Sequence, residues 1–210
     1  MLAEAAELVG LEVNGVKKVR VGDYLETTAN VRWNGENDVY EYIDLSSIDR
    51  ATNSIIETKR IDQKTAPSRA KQVIKFDDIL FGTTRPLLKR IYRVENKYDN
   101  QICSTGFCVL RAKREKLLPK WIYFSLSSDR FYDYVENYQE GTSYPSISDK
   151  KVKAYEILLP SLPVQEYVVS ILDQFETLVN DISQGLPKEI DLRQKQYEYY
   201  RERLLDFPRD

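Results

Sequence analysis

Histidine is absent from this 210-residue chain. Its absence removes the Ser-His-Asp triad, histidine-ligated zinc and imidazole acid–base chemistry together. Cysteine is nearly as scarce. Cys103 and Cys108 are too few for a disulfide framework and lack a second ligand pair for a metal. They read as small buried strand residues of a cytoplasmic protein. No window approaches the roughly 18 apolar residues that a membrane span requires. The opening segment MLAEAAELVG has neither the basic region nor the apolar core of a secretory signal. Nucleotide loops of the G-x-x-x-x-G-K-[ST] and G-x-G-x-x-G types are missing. Also missing is an Asp/Asn-Pro-Pro-aromatic segment of the kind amino-methyltransferases use on a flipped adenine. The pair Asp77-Asp78 stands without a glycosidase context and reads as decoration of a turn. These absences weigh against an enzyme.

What is present is charge, unevenly placed. The chain is 42% hydrophobic and 30% charged, and its net charge of −2 hides a local excess. Between Lys59 and Arg93 ten basic residues stand against three acids, a local +7, whereas from Tyr155 to Asp210 eleven acids face six bases. A cationic face on one part of a near-neutral protein is the consequence.

Short β-rich runs fill the first half: Val16–Val21, Val39–Leu45, Gln72–Phe76, Asp78–Phe81, Ile91–Val94 and Gly106–Arg111. Asn14-Gly15 and Asn34-Gly35 mark turns. The period then changes. Pro119 opens a helix with Trp121, Ile122, Phe124 and Leu126 on its buried face, and a second helical run through Phe131, Val135 and Tyr138 stops at Gly141. The loop GTSYPSIS follows, Ser148 is placed to cap a helix from Asp149, and a strand Tyr155–Leu159 ends at Pro160. Residues 1–160 are expected to form an α+β domain.

From position 161 the sequence is of another kind. Val164, Val168, Ile171, Phe175, Leu178 and Ile182 alternate spacings of four and three, which keeps one apolar seam on a helix. Gly185-Leu186-Pro187 interrupts it, and a second seam follows through Leu186, Ile190, Arg193, Tyr197, Tyr200, Leu204 and Phe207. Two helices of about 30 Å each are expected, forming an antiparallel, coiled-coil-like spacer over 161–210. The tyrosines of KQYEYYRERLL then divide: Tyr197 and Tyr200 enter the seam, Glu198, Arg201 and Glu202 flank it, and Tyr199 has no assigned role.

The stretch APSRAKQVIKFDDILFGTTRPLLKR brings Arg69, Lys71, Arg85, Lys89 and Arg90 together with Ser68, Thr83 and Thr84. Guanidinium and ammonium groups neutralise phosphates, and hydroxyls bind phosphate oxygens at short range. An arginine in a major groove binds guanine bidentately. Gly82 and Gly106 would let a backbone come close. A coiled-coil adaptor with a basic protein-binding face, and a stand-alone modification enzyme, are the alternatives.

VYEYIDLSSID, APSRAKQVIKFDDILFGTTRPLLKRI, STGFCVLR, GTSYPSIS and GLPKEIDLRQKQYEYYRERLL, in that order, resemble the specificity subunit of type I restriction-modification enzymes. A full subunit of that family carries two target recognition domains and two helical conserved regions. One of each is found here, without an internal repeat, so the chain looks like a half-subunit. The resemblance implies a homodimer that binds double-stranded DNA at two inverted half-sites, with helices setting their separation. It implies an adenine-N6 methyltransferase subunit using S-adenosylmethionine, and a restriction/translocase subunit using ATP and Mg, as partners, with no cofactor bound by this chain. GTTRPLLKR and GTSYPSIS are the segments expected at DNA. Arg85 and Lys89 would lie on phosphate or base, joined by Thr142, Ser143 and Tyr144 and, more weakly, by Ser104 and Thr105. GTSYPSIS also reads as a packed connector bracing the domain.

Overall fold

Two apolar runs without alternation, Ile79–Gly82 (β5) and Phe107–Leu110 (β8), form the centre of the molecule, and every residue in them is buried. A strand reads this way when both faces of its sheet are covered. In the computed structural model, which describes residues 15–33, 38–181 and 187–206, β5 pairs antiparallel with β8 on one side and with β6 (Ile91–Arg93) on the other. One face of this sheet presents Ile79, Phe81, Cys108 and Leu110 to helices, and the other presents Leu80, Tyr92, Phe107 and Val109 to a second sheet.

That second sheet has the order β3-β2-β7-β4, formed by Lys59–Ile61, Tyr40–Ile43, Ile102–Ser104 and Ala70–Val73. Its β2–β7 pair is parallel and the other two are antiparallel. β1 (Lys17–Arg20) pairs antiparallel with β9 (Glu156–Leu159), joining the two ends of the α+β part. Cys103 and Cys108 are free, buried on opposite sides of the central sheet, and burial pushes both thiols up.

The helices are α1 (Pro119–Ser127), α2 (Asp129–Tyr138) and α3 (Asp149–Ala154), followed by the long α4 (Leu162–Asp181) and α5 (Pro187–Leu205). Pro119 occupies the first turn of α1, where its missing N–H costs nothing. Ser128 and Ser148 cap α2 and α3 through their hydroxyls. None of the described helices is long and apolar enough to cross a membrane.

Several boundaries differ from the sequence reading, each for a local reason. β4 begins at Ala70 and ends at Val73, not Phe76, because Lys75 N turns back to the Asp78 carboxylate and Asp77 takes a left-handed φ of 70°. β3 is missed because its short KRI run is mostly polar, and β7 because ICS is buried throughout and shows no period. Gly15 turns with a φ of 79° as expected, whereas Asn34-Gly35 lies outside the described residues.

The helical pair is antiparallel. Leu204 and Leu205 at the end of α5 pack on the same core as Val164 and Val168 at the start of α4. Further out, Phe175 stacks on Tyr200 with ring centres 5.2 Å apart. The seam itself needs correction. Val169 and Leu172, off the counted positions, are buried, whereas Ile171 and Phe175 are half-buried and Arg193 is exposed. The cause is that α4 has two neighbours, the core on one side and α5 on the other. Arg201, expected on the flank, is instead buried over the ring of Tyr197 at 5.4 Å, while Tyr199 is exposed beside Arg203. The Leu178 and Ile190 side chains, Ile182, Leu186 and Phe207 lie outside the described residues.

Gln165 pins α4 at its base. Fully buried, it accepts from Leu118 N at 2.9 Å and donates to the carbonyls of Lys116 and Pro160 at 3.0 and 2.9 Å. All of its polar capacity but one lone pair is used, so burial carries little penalty. Lys120 of α1 also pairs with Asp173 of α4.

Two stability predictions arise here. Asp78, 1% exposed, receives Arg111 Nε at 2.8 Å and Arg111 Nη2 at 2.7 Å. Removing one partner, by Arg111→Met, leaves a buried charge and is expected to cost about 3–5 kcal/mol in denaturant unfolding. The Glu176 carboxyl is raised above 4.5, by burial first and then by the neighbouring Asp173. A raised folded-state pKa gives stability that is complete below the unfolded value and lost as pH rises through the folded one. Glu176→Gln is therefore expected to raise the denaturation midpoint at neutral pH and leave it nearly unchanged below about pH 4, where both states are protonated.

Candidate nucleic-acid interface

The two central sheets meet at a tight platform built from Gly82, Gly106 and Leu45. A Cβ on Gly82 would stand 3.1 Å from Leu45 Cδ2 and 3.2 Å from Arg90 Cβ, and one on Gly106 would stand 3.0 Å from Leu45 Cδ1. The close approach expected of these glycines is real, but the group that approaches is Leu45 of this chain. Leu45 opens a short 3-10 turn, Leu45–Ser47, capped by Asp44, whose Oδ1 accepts from Ser46 N at 2.7 Å.

A chain of hydrogen bonds runs along this edge. Thr105 N donates to Arg69 O at 2.9 Å, and Gly106 N to Ser104 Oγ at 3.1 Å. Thr83 donates to Gly106 O through both its N and its hydroxyl, at 2.8 and 2.9 Å. Thr83 and Ser104 are thus buried and committed to the fold, whereas Arg69 and Thr105 are exposed. Lys71 is exposed at the bulge between Ala70 and Gln72 in β4.

The two segments singled out in the sequence, about sixty residues apart, are stitched together. Arg85 N donates to Pro145 O at 2.7 Å, Ile147 N donates to Thr83 O at 3.0 Å, and Thr84 bridges Ser146. Glu140 and Ser146 exchange backbone bonds of 2.7 and 2.8 Å, which close residues 140–146 into a small loop. Gly141 holds its bend with a φ of 92°, where a Cβ would meet Tyr144 O at 3.1 Å. Tyr144 projects from the loop, 69% exposed, with the Arg85 guanidinium 4.5 Å from its ring centre. Thr142 and Ser143 are exposed beside it. The loop is both braced against the domain and displayed to solvent.

Arg85 and Lys89 bracket a 3-10 turn at Pro86–Leu88, and both take left-handed φ angles, 49° and 54°. Side chains of this size adopt that conformation at a cost, which the surrounding bonds must outweigh. Their ends diverge. Arg85 goes to Tyr144, whereas Lys89 lies 4.6 Å over the Tyr132 ring and 3.6 Å from Asp129, on α2. Asp129 N in turn donates to Glu202 of α5 at 3.0 Å. Lys89 therefore links the edge to the helical pair.

Arg50 escapes the sequence reading because it precedes the basic segment. Its turn is held by Asp49, whose carboxylate accepts from Ala51 N and Thr52 N at 2.8 Å each, lowering that carboxyl, chiefly through the Thr52 bond. Asn53, with a φ of 50°, ties the turn to β6, its side-chain amide lying against the Ile91 backbone, where Ile91 N donates to Oδ1 at 3.3 Å. Only an Asx-turn pattern, D-x-x-x-N over Asp49–Asn53, was available as a signal, and it says nothing about which strand the turn meets. Among the described residues, no group of acidic or sulfur side chains is arranged to hold a metal.

Residues 12–192 match the family model described as the type I restriction modification DNA specificity domain. The chain is 46% identical over 96 residues to the type I restriction enzyme EcoR124I/EcoR124II specificity subunit of Escherichia coli, a match covering 45% of this chain and 24% of that protein. Its fold resembles the crystal structure of the HsdS subunit from Thermoanaerobacter tengcongensis, with TM-score 0.71 and 36% identity over 85% of this chain and 46% of that one. A chain from the structural basis of complex assembly and conformational transition of the type I R-M system gives TM-score 0.75 at 36% identity, covering 81% and 44%. The chain thus spans less than half the length of each of these proteins.

The division between braced and displayed hydroxyls is open to measurement. Thr83→Ala removes the buried hydroxyl bond to Gly106 O, keeping the backbone one, and is expected to cost about 1 kcal/mol in chemical denaturation. Thr105→Ala, at an exposed position, should stay within about 0.5 kcal/mol of the parent.

Proposed function

The chain belongs to the type I restriction modification DNA specificity family, and on that premise we propose that it reads one half of a bipartite DNA target without catalysing any reaction. The observation that carries this is the closure of residues 140–147 on Thr83–Arg85. It turns two distant segments into one exposed edge with Arg69, Arg85, Thr105 and Tyr144 displayed. Arginine and hydroxyl groups on a rigid edge suit phosphate and base-edge contacts.

In this proposal a second copy of the chain reads an inverted half-site. The antiparallel α4–α5 pair, each helix about 30 Å long, sets the separation between the two readers. The same helices dock an adenine-N6 methyltransferase subunit, which holds S-adenosylmethionine, and a restriction/translocase subunit that uses ATP and Mg joins the complex in the cytoplasm. The work of this chain is placement: it holds the duplex in register while the partner extracts and methylates adenine. Support comes from the family match, the cationic edge and the rigid base of the helical pair at Gln165.

The test is to co-express the chain with a cognate methyltransferase subunit and map N6-methyladenine across the host DNA. The expected result is methylation at a bipartite motif of two inverted half-sites. With both proteins soluble and associated, absence of any such motif refutes the proposal.

A further inference from the structure

Arg85 and Lys89 flank the same 3-10 turn, yet they are not equally free for a ligand. Lys89 is spent on the Asp129 carboxylate at 3.6 Å and on the Tyr132 ring. The Arg85 guanidinium has no carboxylate or carbonyl partner among the described residues, and the group it meets is the Tyr144 ring, 4.5 Å from its central carbon. The Arg85 backbone is held on both sides. Its N donates to Pro145 O at 2.7 Å, and its O accepts from Leu88 N at 3.0 Å. Tyr144 directly precedes Pro145, so the guanidinium and the ring rise from two backbone segments tied together one residue away. Both side chains stand at exposed positions.

A cation–ring contact uses no carboxylate or carbonyl acceptor, so it positions a guanidinium without neutralising it. What surrounds this one is apolar. Tyr144 is 69% exposed, and Leu87, in the turn itself, is 41% exposed. Pressed against a phosphate, such surface would displace water from charged oxygens at a cost. In the floor of a major groove it would meet uncharged base edges and thymine methyl groups. A planar fork with unspent donors, braced by its loop and flanked by apolar side chains, suits two coplanar acceptors on an uncharged edge. Guanine O6 and N7 are such a pair.

We propose that Arg85 reads a guanine in the major groove of the half-site, and that Tyr144 is the positioning residue that holds its guanidinium for that contact. This rests on the proposed DNA-reading function and deepens it, separating one base-reading side chain from the rest of the cationic edge. Lys89, turned to α2, takes no part in the reading. The 140–146 loop acts on specificity through the ring it displays, which is why its closure on Arg85 matters.

The test selects duplexes from a random-sequence library with the full chain and sequences the bound fraction. The parent is expected to enrich a half-site containing a guanine whose preference Arg85→Gln lowers by about tenfold, with the other enriched positions unchanged. In that half-site, 7-deazaguanine at the same position, which lacks the N7 acceptor, should weaken the parent and leave Arg85→Gln unaffected. Tyr144→Phe keeps the ring and should keep the preference, whereas Tyr144→Ala should lower it at that position alone. A loss in Arg85→Gln spread evenly over all sequences places Arg85 on phosphate and overturns the guanine contact. A preference unchanged in Arg85→Gln overturns it too, and leaves the DNA-reading function standing. A preference kept in Tyr144→Ala, or lost in Tyr144→Phe, overturns the positioning role. A parent that enriches no sequence overturns the DNA-reading function and the guanine contact with it.

Discussion

The buried pair between Asp78 and Arg111 is the constraint on which the rest of the α+β part depends. Asp78 Oδ2 accepts from Lys75 N at 2.8 Å as well as from the guanidinium, and Arg111 Nη2 also reaches Val73 O at 3.3 Å. One carboxylate thereby fixes the end of β4, the turn into β5 and the end of β8. Arg93 and Arg114 extend the network through the neighbouring Asp77. A buried ion pair adds little net stability over a well-packed apolar substitute, but it tolerates very few arrangements. Here that intolerance sets which ends of β5 and β8 lie together.

At the other end of the same strands, Gly82 pairs with Phe107, about 10 Å away at the rise of an extended chain. The Leu45 platform stands there, and the exposed edge is built on it. Rigidity at Asp78 and display at Gly82 are the two ends of one short strand pair. The strained backbone of Arg85 and Lys89 persists because the 140–147 loop holds one of them and α2 holds the other.

The edge and the helical pair are also joined directly. Lys89 meets Asp129 and Tyr132 on α2, Asp129 N meets Glu202, and Arg130 meets Asp206 at 3.1 Å. Arg201, buried between α5 and the rest, pushes against no free charge because Glu202 lies 3.3 Å away and the Tyr197 ring covers it. These contacts, with Gln165 at the base, tie the helical pair to the edge of the α+β part.

Local chemistry alone determined much of this protein. Pro119 and Ser148 open helices through their local preferences, the two helical arms follow from apolar spacing, and the basic segment is visible as a count. The ordered blocks were enough to place the family. Tertiary structure alone decided which charged groups meet. Lys89 turned to the helices, Thr83 and Ser104 sank into the fold, and Arg201 was buried. The physical reason is range. Caps, turns and helical faces are settled within a few residues, whereas the position of a guanidinium group depends on which strands pair and which turn lies over them. Those pairings bring together residues that share no local pattern.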